Sequence, residues 1–170
     1  MTAQQPDPQP GVYRLDADAS TISFQTRAMF GLSTVKGSFS VSEGEITVDS
    51  DVSRSTVDVV IRADSFDSGD HKRDEHIRSA AYLDASGHPE IVFRGDGAVR
   101  SGTQGSVSGV LTVQGRSRPT VLTVSSWATD GERLTVRASA VVDRYDFGIT
   151  KAKGLAGRRL TVDLDVVAVR

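Results

Sequence analysis

The stretch LTVDLDVVA, Leu160 to Ala168, places Leu160, Val162, Leu164, Val166 and Ala168 at every second position, with Thr161, Asp163, Asp165 and Val167 between them. Side chains of an extended chain point alternately to its two faces, so the run predicts a strand with one buried and one wet face. The same period recurs toward the N-terminus. Leu134, Val136, Ala138 and Ala140 alternate with Thr135, Arg137 and Ser139, and Val107, Gly109, Leu111 and Val113 with Ser108, Val110, Thr112 and Gln114. Val57, Val59, Ile61 and Ala63 alternate with Thr56, Asp58, Val60 and Arg62, and Ile22, Phe24, Thr26 and Ala28 with Thr21, Ser23, Gln25 and Arg27. Glu43-Gly44, Ser101-Gly102, Gly115-Arg116 and Asp130-Gly131 are turn signals between the runs. Together they predict an all-β chain of about eight antiparallel strands, near 20–28, 34–41, 44–50, 55–65, 90–99, 105–114, 119–127 and 132–142, with 159–169 as a ninth or closing strand.

One segment breaks the period. SGDHKRDEHIRS, Ser68 to Ser79, carries two histidines, three acids and three basic residues. Ser68 or Asp70 suits a helix cap, Ile77, Ala80 and Ala81 form a short apolar stripe, and His71–Glu75 and Asp74–Arg78 are spaced i, i+4. This predicts one short helix over about 70–82.

The totals exclude several function classes. The chain has 170 residues and a formal net charge of −2, which argues against a nucleic-acid partner. It has no cysteine, hence neither disulfides nor a thiolate metal site. No apolar run approaches the ~18 residues of a membrane span. The start MTAQQPDPQPG has neither a basic n-region nor an apolar h-region, so the expected compartment is the cytoplasm. Residues 1–11 read as a disordered Gln/Pro tail, and 12–170 as a single domain.

Closing the sheet into a barrel would remove its edges. Small residues on the inward face (Ala28, Ala63, Gly109, Ala138, Ala140 and Ala168) favour a space for an apolar guest. A shallow, closed and empty sandwich is the competing reading.

Five blocks in order resemble the YceI-like family of lipocalin-like, polyisoprenoid-binding proteins. They are Tyr13-Arg14-Leu15-Asp16 with Ser20; Val35-Lys36-Gly37-Ser38-Phe39; the long block from Ser65-Phe66-Asp67 through Arg73-Asp74-Glu75-His76-Ile77-Arg78-Ser79 and Asp84 to Pro89-Glu90-Ile91-Val92-Phe93; Gly109 to Gly115; and Asp143-Arg144-Tyr145-Asp146-Phe147-Gly148. Two features depart from the pattern: many members carry a secretion signal, and many have a histidine where this chain has Met29-Phe30.

The resemblance implies an elongated eight-stranded barrel with a hydrophobic tunnel. It implies non-catalytic carriage or sequestration of a long apolar lipid: a polyprenyl phosphate, a quinone tail or an acyl chain. It implies no cofactor. The residues expected to line the tunnel are Phe24, Phe39, Ile61, Phe66, Ile77, Tyr82, Phe93, Leu111, Val136, Phe147 and Leu164. Inward parity is ambiguous between Val121 and Trp127. Arg73, Asp74, His76, Asp84 and Arg144 are expected to form a structural polar cluster that fixes the helix as a lid. The cations of Asp143–Leu160 read either as a phosphate-capturing loop or as a wet loop.

Three rival readings remain. His71, Asp74, Glu75 and His76 would be the ligands of a metal site. His76 with Asp74 or Asp84, and Ser79 as nucleophile, would serve an enzyme of lipid or quinone metabolism using the His71–His88 region. The domain would otherwise be a stress-response interaction module. Exposed strands and apolar tunnel mouths favour pairing into a homodimer.

Overall fold

The computed structural model describes residues 7–154 and 156–170. Ten strands appear among them: β1 (Gly11–Leu15), β2 (Thr21–Ala28), β3 (Ser33–Phe39), β4 (Val41–Val48), β5 (Thr56–Arg62), β6 (Glu90–Ser101), β7 (Gln104–Val113), β8 (Arg116–Thr129), β9 (Arg133–Asp143) and β10 (Arg159–Val169). One α-helix, α1 (His71–Arg78), lies between β5 and β6.

Ten strands make eight walls. The order β1-β4-β5-β6-β7-β8-β9-β10 closes through β1–β10 pairing at Arg14↔Val169 and Leu15↔Ala168. Further along β10, β2 takes the place of β1, with Thr21↔Asp165 to Thr26↔Leu160. β1 and β2 are therefore two halves of one bent wall. At the bend, the Asp16 N–H bonds the Val167 carbonyl at 2.8 Å, and the Val167 N–H bonds Ser20 Oγ at 3.0 Å, so these ladder groups stay paired where the wall bends. β3 and β4 form a second bent wall: β3 pairs β2, and β4 pairs β1 and β5.

Several expectations are corrected. Glu43-Gly44 is not a turn but lies within β4. A Cβ at Gly44 would sit 2.8 Å from the Asp58 carbonyl, so this glycine allows close strand approach. The turn after β7 centres on Gln114-Gly115, both at positive φ (51° and 73°), which suits the right-handed twist of a two-residue hairpin. The helix ends at Arg78; the backbone then turns through residues 79–88, with Asp84 at φ 48°. Of the expected tail, residues 1–6 lie outside the described residues. Gly11 opens β1, and Gln9 and Pro10 accept hydrogen bonds from Tyr13 and Arg170.

The interior has two apolar clusters. The larger runs from Ile22 and Phe24 through Ile61, Phe66 and Phe93 to Phe147 and Ile149, toward the end of the barrel that carries α1. The smaller, at the opposite end, is Tyr13, Leu134 and Ala168, with Leu15, Ile46 and Trp127 against them. The alternation that begins with Leu160 supplies both.

Candidate functional site

The larger cluster is hollow. A cavity of about 150 Å³ lies in the barrel's middle, bounded by Ile22, Phe39, Ile61, Phe93, Leu111, Phe147 and Leu164, among others. A second, of about 320 Å³, lies above it between β2, β3, α1 and the 144–157 segment. The two share Phe39, Leu83, Arg144, Ile149 and Leu160, so they are adjoining chambers of one apolar interior, the tunnel, with these side chains bordering both. Its rim carries the exposed residues Met29, Ser33 and Arg73. Three rings build a wall of the upper chamber: Phe24 stacks on Phe66 with centroids 5.0 Å apart, and Phe39 meets them at 5.7 and 5.5 Å. Such contacts each add about 0.5–1.5 kcal/mol beyond area burial.

A third apolar cavity, about 160 Å³, lies at the opposite end, lined by Val57, Val107, Trp127, Leu134 and Val136. It shares no lining residue with the tunnel. The floor between them is built on two facing glycines. Gly95 pairs with Gly109, and a Cβ at Gly109 would lie 2.8 Å from Phe93 Cζ. A Cβ at Gly95 would lie 3.0 Å from Phe93 Cε1 and 2.6 Å from Val107 Cγ1. The Phe93 ring thus occupies the space that the glycines leave.

All eleven residues expected to line a tunnel line one of these cavities. Phe39, Ile61, Phe93, Leu111, Phe147 and Leu164 reach the middle chamber, and Phe24, Phe66, Ile77 and Tyr82 join Phe39 in the upper one. Val136 belongs instead to the far cavity. Of the small inward residues, only Ala140 and Ala28 border the tunnel. Ala63 and Ala168 are tightly packed and Gly109 is covered by Phe93, which corrects the reading that all of them leave space. The parity ambiguity has a cause: a bulge between Val124 and Ser126 flips β8, so Leu122 and Trp127, of opposite parity, both face inward. Leu83 and Ile149, also in the tunnel wall, come from irregular segments with no period to announce them.

The five polar residues expected as one cluster are divided among four places. Asp74, 5% exposed, accepts from Ser68 N–H at 2.9 Å and from the Ser68 hydroxyl. Arg73 does not pair with it; its Nε bonds Ser68 Oγ at 2.9 Å from the exposed side. Asp70 caps α1 by accepting from the Arg73 N–H at 3.1 Å. His76 lies edge-on to Tyr82, centroids 5.0 Å apart. Asp84 shapes the following turn, its carbonyl accepting from the His88 N–H at 2.7 Å. Arg144, 7% exposed, is in the tunnel wall. Its three nitrogens donate to the carbonyls of Gly157 at 2.8 Å, Ile149 at 2.9 Å and Ala156 at 3.2 Å.

The histidines do not converge. His71 pairs with Glu75 at 3.0 Å on the wet face of α1, His76 meets Tyr82, and His88 lies over Gly115. Among the described residues no three of His, Asp and Glu are placed to hold a metal, and Ser79 Oγ donates to the His76 carbonyl rather than facing a base.

The family model of the YceI-like domain matches residues 13–168. A UPF0312 protein of Pectobacterium carotovorum is 28% identical over 93% of this chain and 86% of its own length. A UPF0312 protein of Vibrio cholerae is 32% identical over 76% of this chain and 72% of its own. Among solved structures, Burkholderia cenocepacia BcnA superposes with a TM-score of 0.79 at 19% identity, covering 91% of this chain and 99% of its own. A polyisoprenoid-binding domain from Saccharophagus degradans gives 0.70 at 15% identity, covering 95% and 99%.

Proposed function

The chain belongs to the YceI-like family, and from that premise we propose that it binds a long apolar lipid, tail inward, and carries or sequesters it without chemical change. The observation that carries this reading is the two-chambered tunnel, whose walls are hydrocarbon almost throughout and whose rim opens beside Met29 and Arg73. An apolar cavity of this kind stays dry, and an apolar guest gains both hydrophobic transfer and the dispersion contacts that empty walls lack. An isoprenoid, a quinone tail or an acyl chain meets these requirements, its polar end remaining at the rim. The dispersed histidines and the bonded Ser79 favour binding over the enzyme reading.

Native mass spectrometry of the protein purified from its own cells tests the proposal. The expected result is a mass increment that organic extraction removes and that matches an isoprenoid or acyl lipid. Protein that carries nothing under gentle conditions, and takes up no prenyl alcohol when offered one, would contradict it.

A further inference from the structure

The β2–β3 connection, Met29-Phe30-Gly31-Leu32, sits at the tunnel's rim and turns its apolar side chains outward. Met29 is 53% exposed, Phe30 77% and Leu32 90%. Met29 and Phe30 both adopt left-handed backbone, φ 51° and 57°, followed by Gly31 at 87°. Bulky residues rarely hold that conformation, and here it is locked. The Phe30 N–H donates to the Gly154 carbonyl at 2.6 Å, and a Cβ at Gly154 would collide with the Phe30 ring. The exposed tip is thus a fixed feature joined to the loop that follows Arg144.

Behind the tip the outer face of β2, β3 and β10 is cationic. Arg27, Lys36, Arg158 and Arg159 line a shallow groove between threonines, and Lys153 lies 5.5 Å from the Tyr145 ring, over which Arg158 also sits. Arg158 pairs with Asp143. Among the described residues, the other four have no carboxylate within ion-pair distance. Asp163 and Asp165 lie further down β10, and Asp165 is engaged by Arg137. A chain with a formal net charge of −2 has therefore concentrated cations without ion-pair partners around one apolar tip.

We propose that this tip and the cations behind it dock the tunnel mouth onto an anionic bilayer. Phe30 and Leu32 enter the headgroup–acyl boundary, and Arg27, Lys36, Lys153 and Arg159 lie against the anionic headgroups. An apolar face gives depth and a polybasic face gives attraction to anionic lipid, and stable attachment takes both. Docking there sets the rim against the acyl layer, so an apolar chain crosses between bilayer and tunnel without passing through water. This role adds to the lipid-binding reading and rests on it for its purpose, but docking itself is measurable with any guest or none.

Flotation of the full chain with phosphatidylcholine vesicles, with and without phosphatidylglycerol, tests it. The expected result is strong co-flotation with the anionic vesicles, weak co-flotation with the neutral ones, and loss of the difference in high salt. Phe30→Asn with Leu32→Ser lowers partition at least ~10-fold, asparagine being chosen because it tolerates left-handed backbone. Arg27→Gln and Arg159→Gln each lower it about fivefold. A tip variant that floats like the wild type, or equal uptake by neutral vesicles, would overturn the proposal. Dependence on the cations alone would also overturn it, since that shows attraction to the anionic surface without insertion of the tip. Ala140→Phe, which fills the middle chamber, is expected to float normally. Should it lose its lipid and its vesicle binding together, the contact is made by the guest's protruding tail and the tip is not the anchor.

Discussion

Among the described residues Arg144 is a buried cation with no carboxylate within ion-pair distance, and its cost is offset locally. Three carbonyl dipoles take its nitrogens, and the Tyr145 ring lies 5.1 Å from its guanidinium carbon. Arg144→Met removes the charge but strands those carbonyls, and the expected loss is about 3–5 kcal/mol in urea unfolding. Arg144→Lys does not rescue it, because an ammonium is a point donor and cannot span three acceptors on two sides of the loop. A lysine variant of wild-type stability would show that charge alone matters. At the same scale, Ala140→Phe is expected to exclude lipid while the barrel still folds, whereas Gly109→Ala destabilises without blocking anything. A Cβ at Gly109 would collide with the Arg94 carbonyl, and Phe93 already covers the site. Lipid content and melting temperature of the two variants decide this. Residues of this kind were legible in the sequence only in part. Alternation assigns Gly109 and Ala140 to the inner face alike, but which of them borders empty space depends on a ring two residues from Gly95. Arg144 was legible as a structural polar residue, but not as part of the tunnel wall, because the carbonyls that hold it come from an aperiodic segment.

Among the elements, α1 is too short to persist by itself, since an isolated helix of two turns does not repay nucleation. Its attachment is Asp74 to Ser68, together with Arg78 Nη2 donating to the Phe66 carbonyl at 2.6 Å. The attachment of α1 is therefore asymmetric at neighbouring residues. Asp74→Ala leaves the part-buried Ser68 N–H and hydroxyl without their acceptor and is expected to lower stability by about 2–4 kcal/mol. Arg73→Ala removes an exposed contact and is expected to cost under about 1 kcal/mol. Hydrogen exchange across residues 68–82 is expected to accelerate in the first variant and stay near wild type in the second; equal effects would restore an Arg73–Asp74 unit. The helix itself was legible from its cap and charge spacing. The pairing of Asp74 with Ser68 was not, because an adjacent Arg-Asp invites a salt bridge that helical geometry denies: residues i and i+1 face different ways. β1 escaped notice for a similar reason. Gly11-Val12-Tyr13-Arg14-Leu15 is five residues long and follows a Gln/Pro stretch, and it is a strand because it completes a wall that β2 leaves short.

For the whole molecule, the central claim is that the barrel is a container of finite length. A cavity of about 150 Å³ is the size that accommodates one benzene-sized guest, so the two chambers together suit a chain of roughly three isoprene units. Each five-carbon unit buried contributes about 3–4 kcal/mol before the cost of ordering the chain. Beyond the floor the chain must protrude through the mouth, unless the floor opens. Removing the Phe93 ring through Phe93→Ala is expected to join the tunnel to the far cavity of about 160 Å³ and admit about one more unit. Displacement of a fluorescent lipid by prenyl alcohols of increasing length, in the wild type and in Phe93→Ala, decides whether the container is finite. Affinity is expected to climb over the first roughly three units and then level off, with the plateau moved to a longer chain in the variant. Affinity independent of chain length in both proteins would contradict it.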